Sequence, residues 1–377
     1  MALINKLNAI GDAIREKTGS TEKLTLDQMP LEIASITTGG AEVEPIVLSG
    51  ECEYTCTGKM GSEFIKLYGD KISTDNMTGA RYMFYFSELE RIPFELNFNQ
   101  TTKANMAEMF SNCHQLVEVP NINNAYPSGI SKMFSTCYLL RYLPEDLGET
   151  WNWDQVHSDK YAGCSEVFQS CHSLRKVPQN FLSNLWGAQT TNTYLPYKST
   201  FYYCFALDGV SNIPIHRATM TSNMFSSTIG SCYRIKSFTF ATNEDGTPET
   251  ANWKSQTLDF SSNIGHVGAY NGTPVLNYNS GITADKEVKD DATYQALKND
   301  PDWFTTKMEY SRYNHDSAVE TINSLPDTSA YLATAGGTNT IKFKGAAGSK
   351  TDGGAINTLT EEEIAVAAAK GWTVTFA

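Results

Sequence analysis

Two Cys-His dipeptides, Cys113-His114 and Cys171-His172, are the residues best equipped for chemistry in this sequence. A thiol beside an imidazole can make a nucleophile with its base, or half of a zinc site. Both pairs fall at the same place in a repeated pattern, where other copies carry Tyr138, Phe205 and Tyr233. A position that accepts His, Tyr or Phe selects flat side chains, so packing along the repeat explains the pairs better than catalysis. Cys52 and Cys56 have no second cysteine pair or histidine at ligand spacing, which makes zinc a weak reading. Asp285, Asp290, Asp291, Asp300 and Asp302 lack the spacing of a calcium loop and read as a solvated segment. Two carboxylates could meet at the separation a glycosidase uses, but spacing singles out no pair. No Gly-x-Ser-x-Gly, His-Glu-x-x-His, phosphate loop or dinucleotide fingerprint occurs. The expectation is a protein that is not an enzyme and needs no cofactor or metal.

The elements that must position these residues come from a repeat. Met109-Phe110 leads to Cys113, Leu116 and Val119-Pro120; Met133-Phe134 leads to Cys137, Leu140 and Leu143-Pro144; Val167-Phe168 leads to Cys171, Leu174 and Val177-Pro178. An offset copy begins at Met83-Phe84, with Phe86 near the cysteine position. Two degenerate copies follow at Phe201 and at Met224-Phe225, the last reaching Cys232 only after an insertion. Periods in the twenties and thirties predict stacked units that bury a shared ladder of Phe, Cys, Leu and Val. Cysteine then serves as a small buried hydrophobe, and Leu-x-x-Val-Pro as a short extended piece ended by proline. Residues 79–240 resemble the Cys-containing leucine-rich repeats of bacterial surface proteins. The resemblance implies an α/β fold: an irregular leucine-rich-repeat solenoid with an N-terminal helical hairpin and a C-terminal capping αβ repeat.

Residues 1–40 form a separate module. Ile4, Leu7, Ile10 and Ile14 recur at helical spacing, and Lys17-Thr18-Gly19 stops the helix. Thr25 to Gln28 reads as a capping box for a second short helix with Leu31 and Ile33 on its apolar stripe. So short a pair cannot bury its own stripe and needs a partner, in this chain or another. Residues 7–30 resemble an N-terminal segment of virion and tail-associated proteins of phages from Gram-positive bacteria. That resemblance implies attachment to other virion proteins through Ile4, Leu7, Ile10, Ile14, Leu31 and Ile33.

Residues 41–78 carry two β-like runs, Pro45–Leu48 and Glu63–Tyr68, and read as an N-terminal β cap. Residues 241–315 are an irregular, loop-rich segment in which 290–299 could form one short helix. Residues 316–377 read as αβ capping repeats: a helix from Asp316 to Leu325, a strand at 339–344, a helix with a Thr360/Glu363 capping box, and a strand at Trp372–Phe376, paired in parallel. The segment from Thr360 to Phe376 also resembles the C-terminal cap of phage leucine-rich-repeat proteins.

The chain of 377 residues has 42 acidic and 29 basic residues, a net charge of −13, which disfavours nucleic acid. No apolar run is long enough to cross a membrane, and the start has no secretory pattern. Leu-x-x-Val spacing predicts that Arg141-Tyr142 and Arg175-Lys176 reach solvent on a strand face. Trp151, Trp153 and Trp186 fall between copies, where rings either bind sugar or pack back. These seven residues are the candidate receptor-binding set. The combined expectation is a phage virion protein, made in the host cytoplasm, homo-oligomeric on the particle, that binds a host surface glycan or protein. The alternatives are a purely structural capsid or tail decoration, a bacterial adhesin and a glycan-degrading enzyme.

Overall fold

The computed structural model describes residues 11, 12, 14, 44–154, 164–187, 197–215, 219–232, 235–261, 315–343 and 359–376. Strand β1 (Ile46–Glu51) leads through a tight turn into helix α1 (Gly58–Tyr68), a 3-10 turn (Gly69–Lys71) and strand β2 (Ile72–Gly79). β1 and β2 pair in parallel, Ile46 opposite Ile72. The run 63–68 therefore belongs to a helix and not to the expected strand. A short apolar run does not declare its period. Here Gly61, Ser62 and Ile65 form the buried side of α1. Gly61 makes that contact possible, because a Cβ there would sit 2.1 Å from the Cys56 carbonyl carbon.

From Cys52 onward the chain returns repeatedly to the same turn. Each turn has two left-handed residues four apart: Tyr82 and Phe86, Glu108 and Asn112, Lys132 and Thr136, Glu166 and Ser170, Ser199 and Tyr203, Ser227 and Ser231. Tyr54 and Gly58 form the first such pair. The residue between them donates its N–H to the next copy: Cys56 to Met83, Phe84 to Met109, Phe110 to Met133, Phe134 to Val167, Phe168 to Thr200 and Phe201 to Thr228, all at 2.8–3.1 Å. Phe84, Phe110, Phe134, Phe168 and Phe201 stack face to face beneath the turns, centroids 5.1, 5.5, 5.5 and 5.8 Å apart and planes within 10°. They are fully buried.

The bonds also correct the register of the last copy. Ile229, not Phe225, occupies the phenylalanine column, because Phe201 N–H meets Thr228, while Phe225 stacks on Tyr197 at 4.6 Å. Ile229, Cys232, Ile235 and Phe238 then keep the spacing of the other copies, and the inferred insertion disappears. In the first full copy Ser87, not Phe86, holds the cysteine place: Ser87 N–H bonds Phe84 O as Cys113 N–H bonds Phe110 O.

The remaining strands are short. β3 (Leu96–Asn97) pairs with β5 (Ile122–Asn123), and β4 (Ala104–Asn105) with β6 (Pro127–Gly129). After helix α2 (Gln179–Gly187), β7 (Gly209–Ile213) pairs with β8 (Ser237–Phe240). This overturns the expected leucine-rich-repeat solenoid. The described residues form a mixed α/β structure of short helices and five small parallel sheets, four of them two-stranded, and no sheet runs through all copies. The physical reason lies in the segments themselves. Left-handed residues break extended backbone in every Met-Phe-x-x-Cys turn, and proline removes the donor that would extend pairing after Val or Leu. Between the copies at Met109 and Met133 the Leu-x-x-Val stretch contributes a single bridge, Glu118 with Tyr142.

At the C-terminal end, β9 (Thr257–Asp259), helix α3 (His315–Ser324), helix α4 (Ser329–Ala335), β10 (Asn339–Phe343), helix α5 (Glu361–Ala369) and β11 (Trp372–Phe376) follow in order. β10 lies between β9 and β11, all parallel, with Asn339 opposite Trp372. The expected helix, strands and parallel pairing of this end are present; α4 was not foreseen. The capping box forms in full: Glu363 N–H donates to Thr360 Oγ1 at 3.2 Å and Thr360 N–H to Glu363 Oε2 at 2.8 Å. Gly371 ends α5 at φ 80°. The helix anticipated at 290–299 lies outside the described residues, as do Ile4, Leu7, Ile10, Leu31 and Ile33 of the attachment stripe. Ile14 is helical and buried by this chain's own residues, so at that position no second chain is needed.

Candidate functional site: an aromatic row on the turns

The residues with chemical potential are spent on packing. All eight cysteines are reduced and buried. The repeat thiols donate to the phenylalanine carbonyl of the preceding copy: Cys113 to Phe84, Cys137 to Phe110, Cys171 to Phe134, Cys204 to Phe168 and Cys232 to Phe201, at 2.9–3.1 Å. Burial pushes the thiols of Cys137, Cys171, Cys204 and Cys232 up, and Cys56 up to about 12, the opposite of what a nucleophile requires. His114 and His172 lie in a ring stack with Tyr138 and Phe205, at 4.8, 4.5 and 4.6 Å, as their position predicts. Burial, and then the neighbouring His114, lower His172 to about 3, so it is neutral. Among the described residues no three metal-ligating side chains converge, and no helix is long and apolar enough to cross a membrane.

The candidate receptor strip is rearranged. Arg141 is buried and not solvent-facing; its guanidinium lies 5.3 Å from the Tyr142 ring centre. Its N–H and that of Tyr142 both reach the Val117 carbonyl, which draws the arginine inward. Tyr142 is exposed. Arg175 is half-buried against Asp208 at 3.0 Å, and the exposed Lys176 pairs with Glu145. Arg91 and Glu118 pair at 3.3 Å. Acidic partners from neighbouring copies thus balance the basic strip. Trp151 is buried with its indole N–H on Ile122 O at 2.7 Å, and Trp153 bonds Gly148 O at 2.9 Å. Both pack on Phe181. Trp151 and Phe181 belong to the main core and Trp153 packs against it, so these indoles serve packing instead of a sugar platform. Trp186 lies in α2, its side chain outside the described residues.

A different set of rings does reach solvent. Tyr54 stacks on Tyr82 at 4.8 Å; Tyr82 meets Tyr85 edge-on at 5.1 Å, Tyr85 meets Phe86 at 4.6 Å, and Phe86 meets His114 at 6.1 Å. The row continues through the buried Tyr138, His172 and Phe205 and resurfaces at Tyr203 and Tyr202. Tyr54 is 52% exposed and Phe86 49%. Around Tyr82 the polar groups are fixed: its hydroxyl donates to Glu108 at 2.7 Å and accepts from Arg81 at 3.1 Å, and the Arg81 guanidinium lies 4.7 Å over the ring. Burial and the Glu108 carboxylate hold the phenol above its ordinary pKa, so it stays a donor at neutral pH.

Tyr54, Tyr82 and Phe86 occupy left-handed backbone at φ 56°, 57° and 57°. Glycine or asparagine would adopt that conformation more cheaply, by about 1–2 kcal/mol for an ordinary residue. Large rings held there with half their surface in water do nothing for the core. Left-handed backbone at these places belongs to every turn of the repeat, so it is the exposure of the rings that sets Tyr54 and Phe86 apart. Nothing in the one-dimensional pattern distinguishes these rings from buried ones; the only signal was that Tyr54, Tyr82 and Tyr85 stand outside the Phe, Cys, Leu and Val columns. In comparisons with known proteins the chain matches no family model, and no curated protein and no solved structure is similar to it.

Proposed function

We propose that this chain is a phage virion protein, attached to the particle through residues 1–40, that meets a host cell-surface component through the aromatic row at Tyr54, Tyr82, Tyr85 and Phe86. The observation that carries the reading is the pair of half-exposed rings, Tyr54 and Phe86, joined through Tyr82 and Tyr85. Tyrosine-rich surfaces give contact area at little cost in side-chain freedom, as in other recognition sites. The likeness of residues 7–30 to a virion attachment segment supports the particle location. Other virion proteins and further copies of this chain are the partners on that side.

Immunogold labelling of purified particles tests the location. The proposal predicts label on intact virions that is lost when residues 1–40 are deleted from the gene. Label confined to the lysate, or normal incorporation of the 41–377 fragment, contradicts it.

A further inference from the structure

We infer that β11 pairs, antiparallel about Val374, with β11 of a second copy of this chain, joining two molecules at their C-terminal ends across a two-fold axis.

The C-terminal sheet ends on β11. β10 lies between β9 and β11, and among the described residues no strand pairs with the outer side of β11. Such an edge presents a row of backbone N–H and C=O groups ready to pair, and proteins blunt it with a charge, a proline or a bulge. β11 carries none of these. Its five residues, Trp372-Thr373-Val374-Thr375-Phe376, are uncharged, free of proline and in unbroken register with β10. The strand at the other end of the stack differs: β1 slips register on both sides of Gly50 and finishes on Glu51.

The side chains of β11 are open in the same direction as its backbone. Register with β10 places Trp372, Val374 and Phe376 on one face with Asn339, Ile341 and Phe343. Trp372 is buried and Val374 half-buried. Phe376 meets the Phe343 ring at 6.4 Å yet is 44% exposed.

The order of residues in the strand selects a second copy as the occupant. It reads alike in both directions: aromatic, threonine, valine, threonine, aromatic. Antiparallel pairing about Val374 sets Val374 opposite Val374, Thr373 opposite Thr375 and Trp372 opposite Phe376. Each residue then faces its like, and cross-strand threonine pairs and aromatic pairs both stabilise a sheet. A two-fold axis demands this self-complementarity, and a foreign strand does not. Charge agrees. A chain at −13 meets its copy along a strand with no charge on it. The antiparallel arrangement also holds Glu361, Glu362 and Glu363, which open the α5 before each β11, at opposite ends of the pair.

Sedimentation equilibrium of the full-length chain over a wide range of concentration tests the inference, with thermal melting as the check on the fold. Wild type is expected to form dimers that dissociate on dilution. Thr373→Lys with Thr375→Lys sets lysine opposite lysine at both places, and Thr373→Glu with Thr375→Glu sets glutamate opposite glutamate, so each variant alone is monomeric. Their equimolar mixture sets lysine opposite glutamate and restores the dimer. A short bifunctional thiol reagent reads the register: Thr373→Cys mixed with Thr375→Cys is cross-linked into dimers, while neither is alone. The native cysteines are buried and stay out of that reaction. Wild type that is monomeric throughout overturns the inference. A dimer that persists in the lysine variant also overturns it and moves the contact to another face, such as residues 1–40. So does a charge mixture that stays monomeric, or a cysteine mixture that is not cross-linked. If a charged variant melts below wild type, the cysteine pair decides.

Discussion

The cysteines of the repeat illustrate how a side chain can be apolar in its setting and polar in its role. Cys137 is fully buried, yet its thiol donates to Phe110 O at 3.0 Å. From sequence, serine at this position reads as an unpaired buried hydroxyl and alanine as the milder change. The carbonyl in reach reverses that order. Cys137→Ser keeps a donor for Phe110 O and is expected to cost about 1 kcal/mol less than Cys137→Ala, which loses both the bond and the sulfur's packing. Urea denaturation of the two variants checks the ranking. Thr136 shows a second residue-scale tension: a β-branched side chain at φ 65°. Thr136→Asn is expected to raise stability by about 0.5–1 kcal/mol, read in the same way. His172 adds a pH term. It is buried among Tyr138 and Phe205 with Nδ1 lacking a hydrogen bond, and its pKa is lowered to about 3 by burial first and His114 second. The unfolded chain takes up its proton near pH 6.5 and the folded chain does not, so stability falls as pH drops from about 7 towards 3. His172→Phe, the ring already present at 205, is expected to flatten that slope in melting temperature against pH.

At the scale of elements, the two helix starts at the C-terminal end are tied together. His315, the first residue of α3, meets Asp316 Oδ1 at 3.3 Å through Nδ1 and Glu363 Oε2 at 3.2 Å through Nε2. The same Glu363 oxygen accepts from the Thr360 N–H that opens α5. Hydrogen bonding to Asp316 first, and then Glu363, raises His315, so this contact favours the fold below the unfolded pKa and fades as pH rises through the folded one. Thr360→Ala removes the cap acceptor and is expected to cost about 1 kcal/mol, measured by denaturation. Much of this end was legible, because caps, alternation and proline stops act within a few residues: α3, α5, β10, β11 and the parallel pairing were all readable. The repeat was legible through its one-per-copy phenylalanine. Its conformation was not, since left-handed turns are announced by Gly or Asn, and apart from Gly58 and Asn112 this chain puts Tyr, Phe, Glu, Lys, Thr and Ser there. Phe225 misled the register because it belongs to the Tyr197 column, where an aromatic is equally at home. The 63–68 run misled because its apolar residues fit a strand or a helix, and only the close approach of Gly61 to Cys56 decides between them. The candidate site was less legible than the fold. Arg141 and the indoles of Trp151 and Trp153 were drawn inward by particular carbonyls, at Val117, Ile122 and Gly148, that no spacing rule places.

For the whole molecule, one direction organises packing and surface alike. The turns stack copy on copy, the phenylalanines lie beneath them, and a second row of rings lies beside them, buried in the middle at Tyr138, His172 and Phe205 and open at Tyr54 and Phe86. The face proposed to meet the host is therefore a continuation of the core's own stacking into solvent. Adsorption competition tests that claim most directly. Purified full-length chain is added in increasing amounts to cells of the particle's host before the particles, and unadsorbed particles are counted. The account predicts that wild type blocks adsorption in a saturable way, while the Tyr54→Gly, Phe86→Gly double variant, equally folded by melting temperature, does not. Equal blocking by both proteins, or none by wild type, would contradict it.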